Sequence, residues 1–99
     1  MINQILNLTK LLISHPSTSS NPQALKSLLE VSIKPLKDNK NLIIERFEKN
    51  QKPSVLIYKG KKRPERFKII LNAHLDVVVG KPEQFKPYEK DGKLFGRGA

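Results

Sequence analysis

Apolar residues at Ile2, Ile5, Leu6, Leu8, Leu12 and Ile13 recur at mostly helical spacing, with Asn3, Gln4, Asn7 and Lys10 between them. This pattern predicts a first amphipathic helix. The turn formers His15-Pro16-Ser17-Thr18-Ser19-Ser20 follow, and Asn21-Pro22 supplies an N-cap and a favoured first helical residue for a second helix. Leu25, Leu28, Leu29 and Leu36 share one face of it, but Pro35 lacks an amide hydrogen and clashes with the preceding turn. The helix is therefore expected to end or kink near Lys34.

Beyond Asn41 the period changes. Leu42-Ile43-Ile44-Glu45-Arg46-Phe47 is short and β-branched at its centre, and turn-like residues from Asn50 to Pro53 close it. Val55-Leu56-Ile57-Tyr58 reads as a second strand, ended by Gly60 and a basic loop from Lys61 to Arg66. Phe67, Ile69, Ile70 and Leu71 predict a third strand, whose nearly unbroken apolar character implies burial on both faces under helices. Two helices, then strands, then a buried run leading into polar residues give an α/β organisation. After Val79, Gly80, Pro82, Pro87, Asp91-Gly92, Gly96 and Gly98 predict mostly loop.

Composition refines this picture. The 99 residues fit one folded unit or a piece of one, and the apolar fraction of 37% gathers into runs separated by turns, which argues against wholesale disorder. There is no cysteine, so disulfide frameworks and thiolate metal sites are excluded. No apolar run approaches the roughly 20 residues that span a bilayer, and no basic region precedes an apolar core at the N-terminus. The expected setting is soluble and cytoplasmic. Nineteen Lys and Arg against nine Asp and Glu give a formal charge of +10. The basic residues are scattered from Lys10 to Lys93, which reads as solvated faces before it reads as a nucleic-acid surface.

Chemistry concentrates in Leu71-Asn72-Ala73-His74-Leu75-Asp76-Val77-Val78, where a His and an Asp two residues apart interrupt an apolar run. In an extended strand both point to the same face. Asp76 can then hold one nitrogen of His74, fix its tautomer and leave the other nitrogen for a metal. The position fits as well, since open α/β sheets place ligands beyond the carboxyl ends of their strands. Alone, a His-x-Asp triplet is more often a buried histidine satisfied by its neighbour than a functional pair.

The residues that follow add a second, more specific signal. His74-Leu75-Asp76-Val77-Val78, then Phe85-Lys86-Pro87, Asp91-Gly92 and Gly96-Arg97-Gly98-Ala99, stand in one order and spacing. This stretch, from about Ile69 to Ala99, resembles the metal-site region of the zinc amidohydrolase and peptidase family that includes aminoacylases, acetylornithine deacetylases, succinyl-diaminopimelate desuccinylases and dipeptidases. Val79 stands where that family commonly has Pro, and no Trp precedes the Phe-x-Pro segment.

The resemblance implies that residues 1–99 form a partial N-terminal segment of a zinc-peptidase-like catalytic domain, with two helices followed by strands of an incomplete mixed sheet. By the same resemblance His74 is a ligand to one of two zinc ions, which cobalt or manganese can replace, and Asp76 is the catalytic carboxylate that orients it. Gly96, Arg97 and Gly98 shape the loop that presents the next ligand. The family's metal-bridging Asp lies two residues after the Ala, and its general-base Glu, other ligands and lid or dimerisation domain lie further on. The implied substrates are small peptides or N-acyl amino acids, the complete protein is expected to be a homodimer without membrane contact, and this stretch alone is expected to be inactive.

Two other readings compete. One is a small basic nucleic-acid-binding module, built on the charge and on Lys59, Lys61, Lys62, Arg63 and Arg66. No aromatic platform is interleaved with that cluster, so nucleic acid is not the expected partner. The other is one subunit of a split metalloenzyme whose partner brings the missing ligands. His15 is expected to be structural or solvent-exposed, and Glu83, Glu89 and Asp91 to serve solvation and turn formation.

Overall fold

The computed structural model describes residues 1–99, as a small α/β protein with two helices and two small antiparallel sheets. Helix α1 spans Ile2–Ile13 and α2 spans Pro22–Ile33. The Asn21 side chain accepts the Ala24 amide at 3.2 Å with Pro22 following it, so the sequence-level start signal operates as expected. At the other end Pro35 stops the α-helix, and the chain tightens into one 3₁₀ turn, Lys34–Leu36.

Strands β1, Leu42–Lys49, and β2, Lys52–Lys59, form one hairpin with Lys49 opposite Lys52. Its two-residue turn puts both Asn50 and Gln51 at positive φ, 52° and 63°, the pattern whose twist matches that of the flanking strands. A second, shorter hairpin pairs β3, Tyr88–Lys90, with β4, Lys93–Phe95, through Asp91-Gly92, again at positive φ. The Tyr88 and Phe95 rings stack across it with centroids 5.1 Å apart. The region after Val79 is thus more ordered than its density of Gly and Pro predicts. Those residues occupy the turns, and Pro82–Phe85 forms a further 3₁₀ turn.

Helix α2 lies against the first hairpin. Lys26 pairs with Glu48 at 3.2 Å, and Glu30 pairs with both Arg46 and Lys37. Four residues of helix rise about 6 Å and two residues of strand about 6.8 Å, so the 26/30 and 46/48 spacings match. The opposite face of the hairpin meets the basic loop. Phe67 packs edge-on against Tyr58 at 5.4 Å, and Arg63 approaches Glu45 at 3.7 Å. Burial there, together with the Glu45 carboxylate, pushes the Tyr58 phenol above its ordinary range.

The expected third strand does not form. Residues 67–81 form neither helix nor strand, with a bend at Lys68, and Ile69, Ile70 and Leu71 are exposed, Leu71 by 93%. A strand needs a neighbour to receive its amides and carbonyls, and this run makes no main-chain hydrogen bond to a strand of either hairpin. The buried set is small: Ile13, Ala24, Leu28, Ile33 and one polar residue, Ser17. Ile2 and Ile5 leave part of the apolar face of α1 uncovered, and Leu11, on the opposite side of the helix, is exposed as well. The radius of gyration, 15.3 Å, exceeds the roughly 13 Å of a compact domain of about this length.

Glu30 gives this arrangement a pH dependence. Its hydrogen bonds from Lys37 and Arg46 hold its carboxyl below the ordinary glutamate range. A lowered folded-state pKa contributes stability that is present above the unfolded value and lost as pH falls through the folded one. The expected outcome of a carbon-detected NMR titration is a Glu30 midpoint below about 4.3, the ordinary value. Loosening of α2 from β1 should follow the same acid limb. A midpoint at or above the ordinary value would show that the two cations do not engage Glu30 in solution.

Candidate functional site

The segment that carries His74 and Asp76 is held by the turn between the two helices. Ser17 is 1% exposed, and its hydroxyl donates to the Leu75 carbonyl at 2.9 Å while its own carbonyl accepts the Val77 amide at 3.0 Å. Within the turn, the Ser17 amide donates to His15 O at 2.8 Å and the Thr18 amide to Pro16 O at 2.9 Å. From Lys61 to Gly80, the Val77 amide is the one main-chain group engaged in a main-chain hydrogen bond.

Pinned this way, the segment alternates. Leu75 and Val77 are partly buried, whereas His74, Asp76 and Val78 are exposed, so the expectation that the His and Asp share a face holds even though no sheet forms. His74 Nδ1 lies 3.2 Å from Asp76 Oδ1 and 3.1 Å from the Asp76 carbonyl oxygen. Both neighbours are acceptors, so the geometry favours the tautomer with the proton on Nδ1, leaving the Nε2 lone pair free. The two side chains are 82% and 60% exposed.

The Gly-Arg-Gly loop meets the same segment. A Cβ on Gly98 would stand 2.6 Å from Val77 Cγ1, and Gly98 has φ +82°, so this position requires glycine on two counts. A Cβ on Gly96 would lie 2.5 Å from Ile13 Cγ2, at the end of α1. Gln84 ties the loop to the 3₁₀ turn before β3: its carbonyl accepts the Arg97 amide at 2.8 Å, and its side-chain oxygen accepts the Arg97 guanidinium at 2.5 Å and the Lys81 amide at 2.8 Å. The Arg97 Nε is buried without a partner. Lys10 joins α1 to β3 through Glu89 at 2.5 Å.

Donor chemistry sets a limit on this site. A catalytic zinc takes three protein ligands and water. His74 offers one nitrogen, Asp76 is turned to that histidine, and no group of three His, Cys, Asp or Glu side chains comes together anywhere in the structure. The residues present fit one ligand with its orienting carboxylate and do not by themselves make a metal centre. His15 stands apart, with Nδ1 bonded to the Leu11 carbonyl at 2.9 Å. Residues Lys61 to Arg66 are exposed throughout. No helix is long and apolar enough to cross a membrane.

No protein-family model matches the chain, and no curated protein matches it.

Sequence reasoning missed Ser17 and Gln84. Ser17 stands among three other Ser and Thr residues in a turn, and nothing in its type marks it as the one whose hydroxyl is buried. Gln84 lies 13 residues from the arginine it binds, and no periodicity connects them.

The Gly98–Val77 contact is open to test. Gly98→Ala is expected to lower stability by about 1–3 kcal/mol in urea unfolding, from positive-φ strain and the clash with Val77. It should perturb the Val77 methyl resonances more than those of Leu28. An unchanged unfolding midpoint would mean that the loop does not pack on the segment.

Proposed function

We propose that this chain is the N-terminal part of the catalytic domain of a di-zinc amide hydrolase acting on small peptides or N-acyl amino acids. The observation that supports this most is the His74–Asp76 pair, with Nδ1 at 3.2 Å from the carboxylate and Nε2 free at the surface. A metal-ligating histidine ordinarily donates its other nitrogen to such a partner, which sets the tautomer and raises ligand basicity. A second support is the contact between Gly98 and Val77, which brings the glycine-rich loop beside this pair. In the proposed enzyme that loop presents the next ligand.

Each of this chain's residues has a limited part in the reading. His74 supplies one nitrogen, Asp76 holds the imidazole against rotation, and the Gly96–Gly98 turn fixes the approach of the chain that follows. Zinc, when bound in a complete site, polarises a scissile carbonyl and lowers the pKa of its water toward about 7. The remaining ligands and the general base must come from outside these residues, either from more of the same polypeptide or from a partner chain. The uncovered Ile69–Leu71 run and the open face of α1 are surfaces such additional structure would bury.

The expected outcome of adding zinc to the isotope-labelled chain is a shift of His74 Nε2 that saturates only weakly, with His15 unaffected and no hydrolysis of N-acetyl amino acids. Amide hydrolysis by these 99 residues alone, or a zinc response confined to His15, would sink the reading. The competing binding-module reading has its own outcome: retardation of DNA or RNA at low ionic strength that fades steeply with added salt.

A further inference from the structure

We infer that Ser17 is the positioning residue of the His74–Asp76 pair, setting the histidine's tautomer through the backbone between them. This rests on the functional reading above for its significance, but its physical content does not require a metal. Ser17 is the only polar residue among the five buried ones. A buried hydroxyl without a partner is costly, so its bond to the Leu75 carbonyl is effectively obligatory. Its carbonyl takes the Val77 amide at 3.0 Å.

These two bonds bracket residue 76. In extended backbone the carbonyl of residue 75 and the amide of residue 77 point to one side, and the carbonyl of residue 76 points to the other. Ser17 occupies the first side. The Asp76 carbonyl is thereby turned outward, where His74 Nδ1 meets it at 3.1 Å, next to Asp76 Oδ1 at 3.2 Å. Two acceptors on one nitrogen hold the proton on Nδ1 and expose Nε2 as the donor atom. Without the bracket this run has no other main-chain bond to keep it extended, because residues 67–74 make none. The helix end just before that turn receives the glycine loop, through Ile13 against Gly96, so the positioning of both motifs converges on residues 13–17.

The test is NMR on the full chain with Ser17→Ala, which removes the hydroxyl and keeps the volume. The Val77 amide is expected to exchange about five- to tenfold faster, the factor one hydrogen bond's net contribution corresponds to. The His74 imidazole nitrogens are expected to shift from the Nδ1–H pattern toward the mixed pattern of free histidine, while the Leu28 amide in α2 keeps its protection. Ser17→Thr keeps the hydroxyl and should keep the Nδ1–H pattern. His74→Ala should leave Val77 exchange unchanged, since the bracket does not depend on the imidazole.

An unaltered His74 pattern in a folded S17A chain overturns the inference. If S17A also loses Leu28 protection, the wild-type chain decides. Scalar coupling across the Val77 amide to the Ser17 carbonyl, with the Nδ1–H pattern retained in S17T, upholds the inference, and lack of either overturns it. Failure of the functional reading is distinguishable. A His74 that ignores zinc yet changes tautomer in S17A removes the metal role and leaves the positioning role standing.

Discussion

Between the end of α1 and the start of α2, a buried hydroxyl and its neighbouring carbonyl take the 75–77 backbone in hydrogen bonds of 2.9 and 3.0 Å. The placement of the 75–77 segment, and of the Gly98 loop that packs on Val77, depends on that constraint. The run from Lys61 to Gly80 has no sheet partner, so without Ser17 its path would be set by side-chain packing alone. Val77, fixed by this bond, then serves as the surface on which Gly98 sits, and Gly96 docks one turn earlier on Ile13. The end of α1 and the turn after it thus organise residues about 60 to 80 positions away, an effect of topology that short-range sequence patterns do not carry.

Where the controlling physics is local, the sequence was readable. The helical period, the Asn21-Pro22 start and the Pro35 stop place both helices, because caps and proline geometry act within a few residues. The first hairpin was visible as two apolar runs around a polar turn, although its tight turn sits at Asn50-Gln51 and Pro53 already belongs to β2. The His-x-Asp geometry was legible for a related reason: alternation is a property of extended backbone, paired or not. The third strand was not. An apolar run such as Ile69-Ile70-Leu71 records what a segment needs to bury but cannot say whether a neighbour is present to pair with it. Ser17 and Gln84 were invisible because their roles are long-range hydrogen bonds made by residue types common in every turn.

Charge acts here on register more than on stability. Five basic side chains, Lys10, Lys26, Lys37, Arg46 and Arg63, approach carboxylates, and every one of those pairs is substantially open to water. Such pairs each contribute about 0–1 kcal/mol. The Lys26–Glu48 and Glu30–Arg46 contacts nevertheless fix how far α2 can slide along β1, since a one-residue slip of the strand would turn Arg46 and Glu48 to the other face. Most of the remaining basic residues project into solvent, consistent with the +10 charge being carried by solvated faces.

The uncovered apolar run bears on the His74–Asp76 pair directly. Burying a large aliphatic side chain yields about 1.5–3 kcal/mol, so covering Ile69, Ile70 and Leu71 together yields roughly 5–9 kcal/mol, on the scale of a whole domain's stability. A structure that supplied a cover for this run would therefore be strongly driven to form. His74 lies three residues beyond Leu71 in the same unpaired segment, so a layer seated on the run would also thin the water around the imidazole. In open solvent the interaction of His74 with Asp76 is weakened by the surrounding dielectric and by salt, and as water is withdrawn the same geometry strengthens. Ser17 supplies the geometry, and a cover on the neighbouring apolar run would lower the dielectric in which that geometry acts. The apolar run itself provides the driving force by which that cover would be acquired.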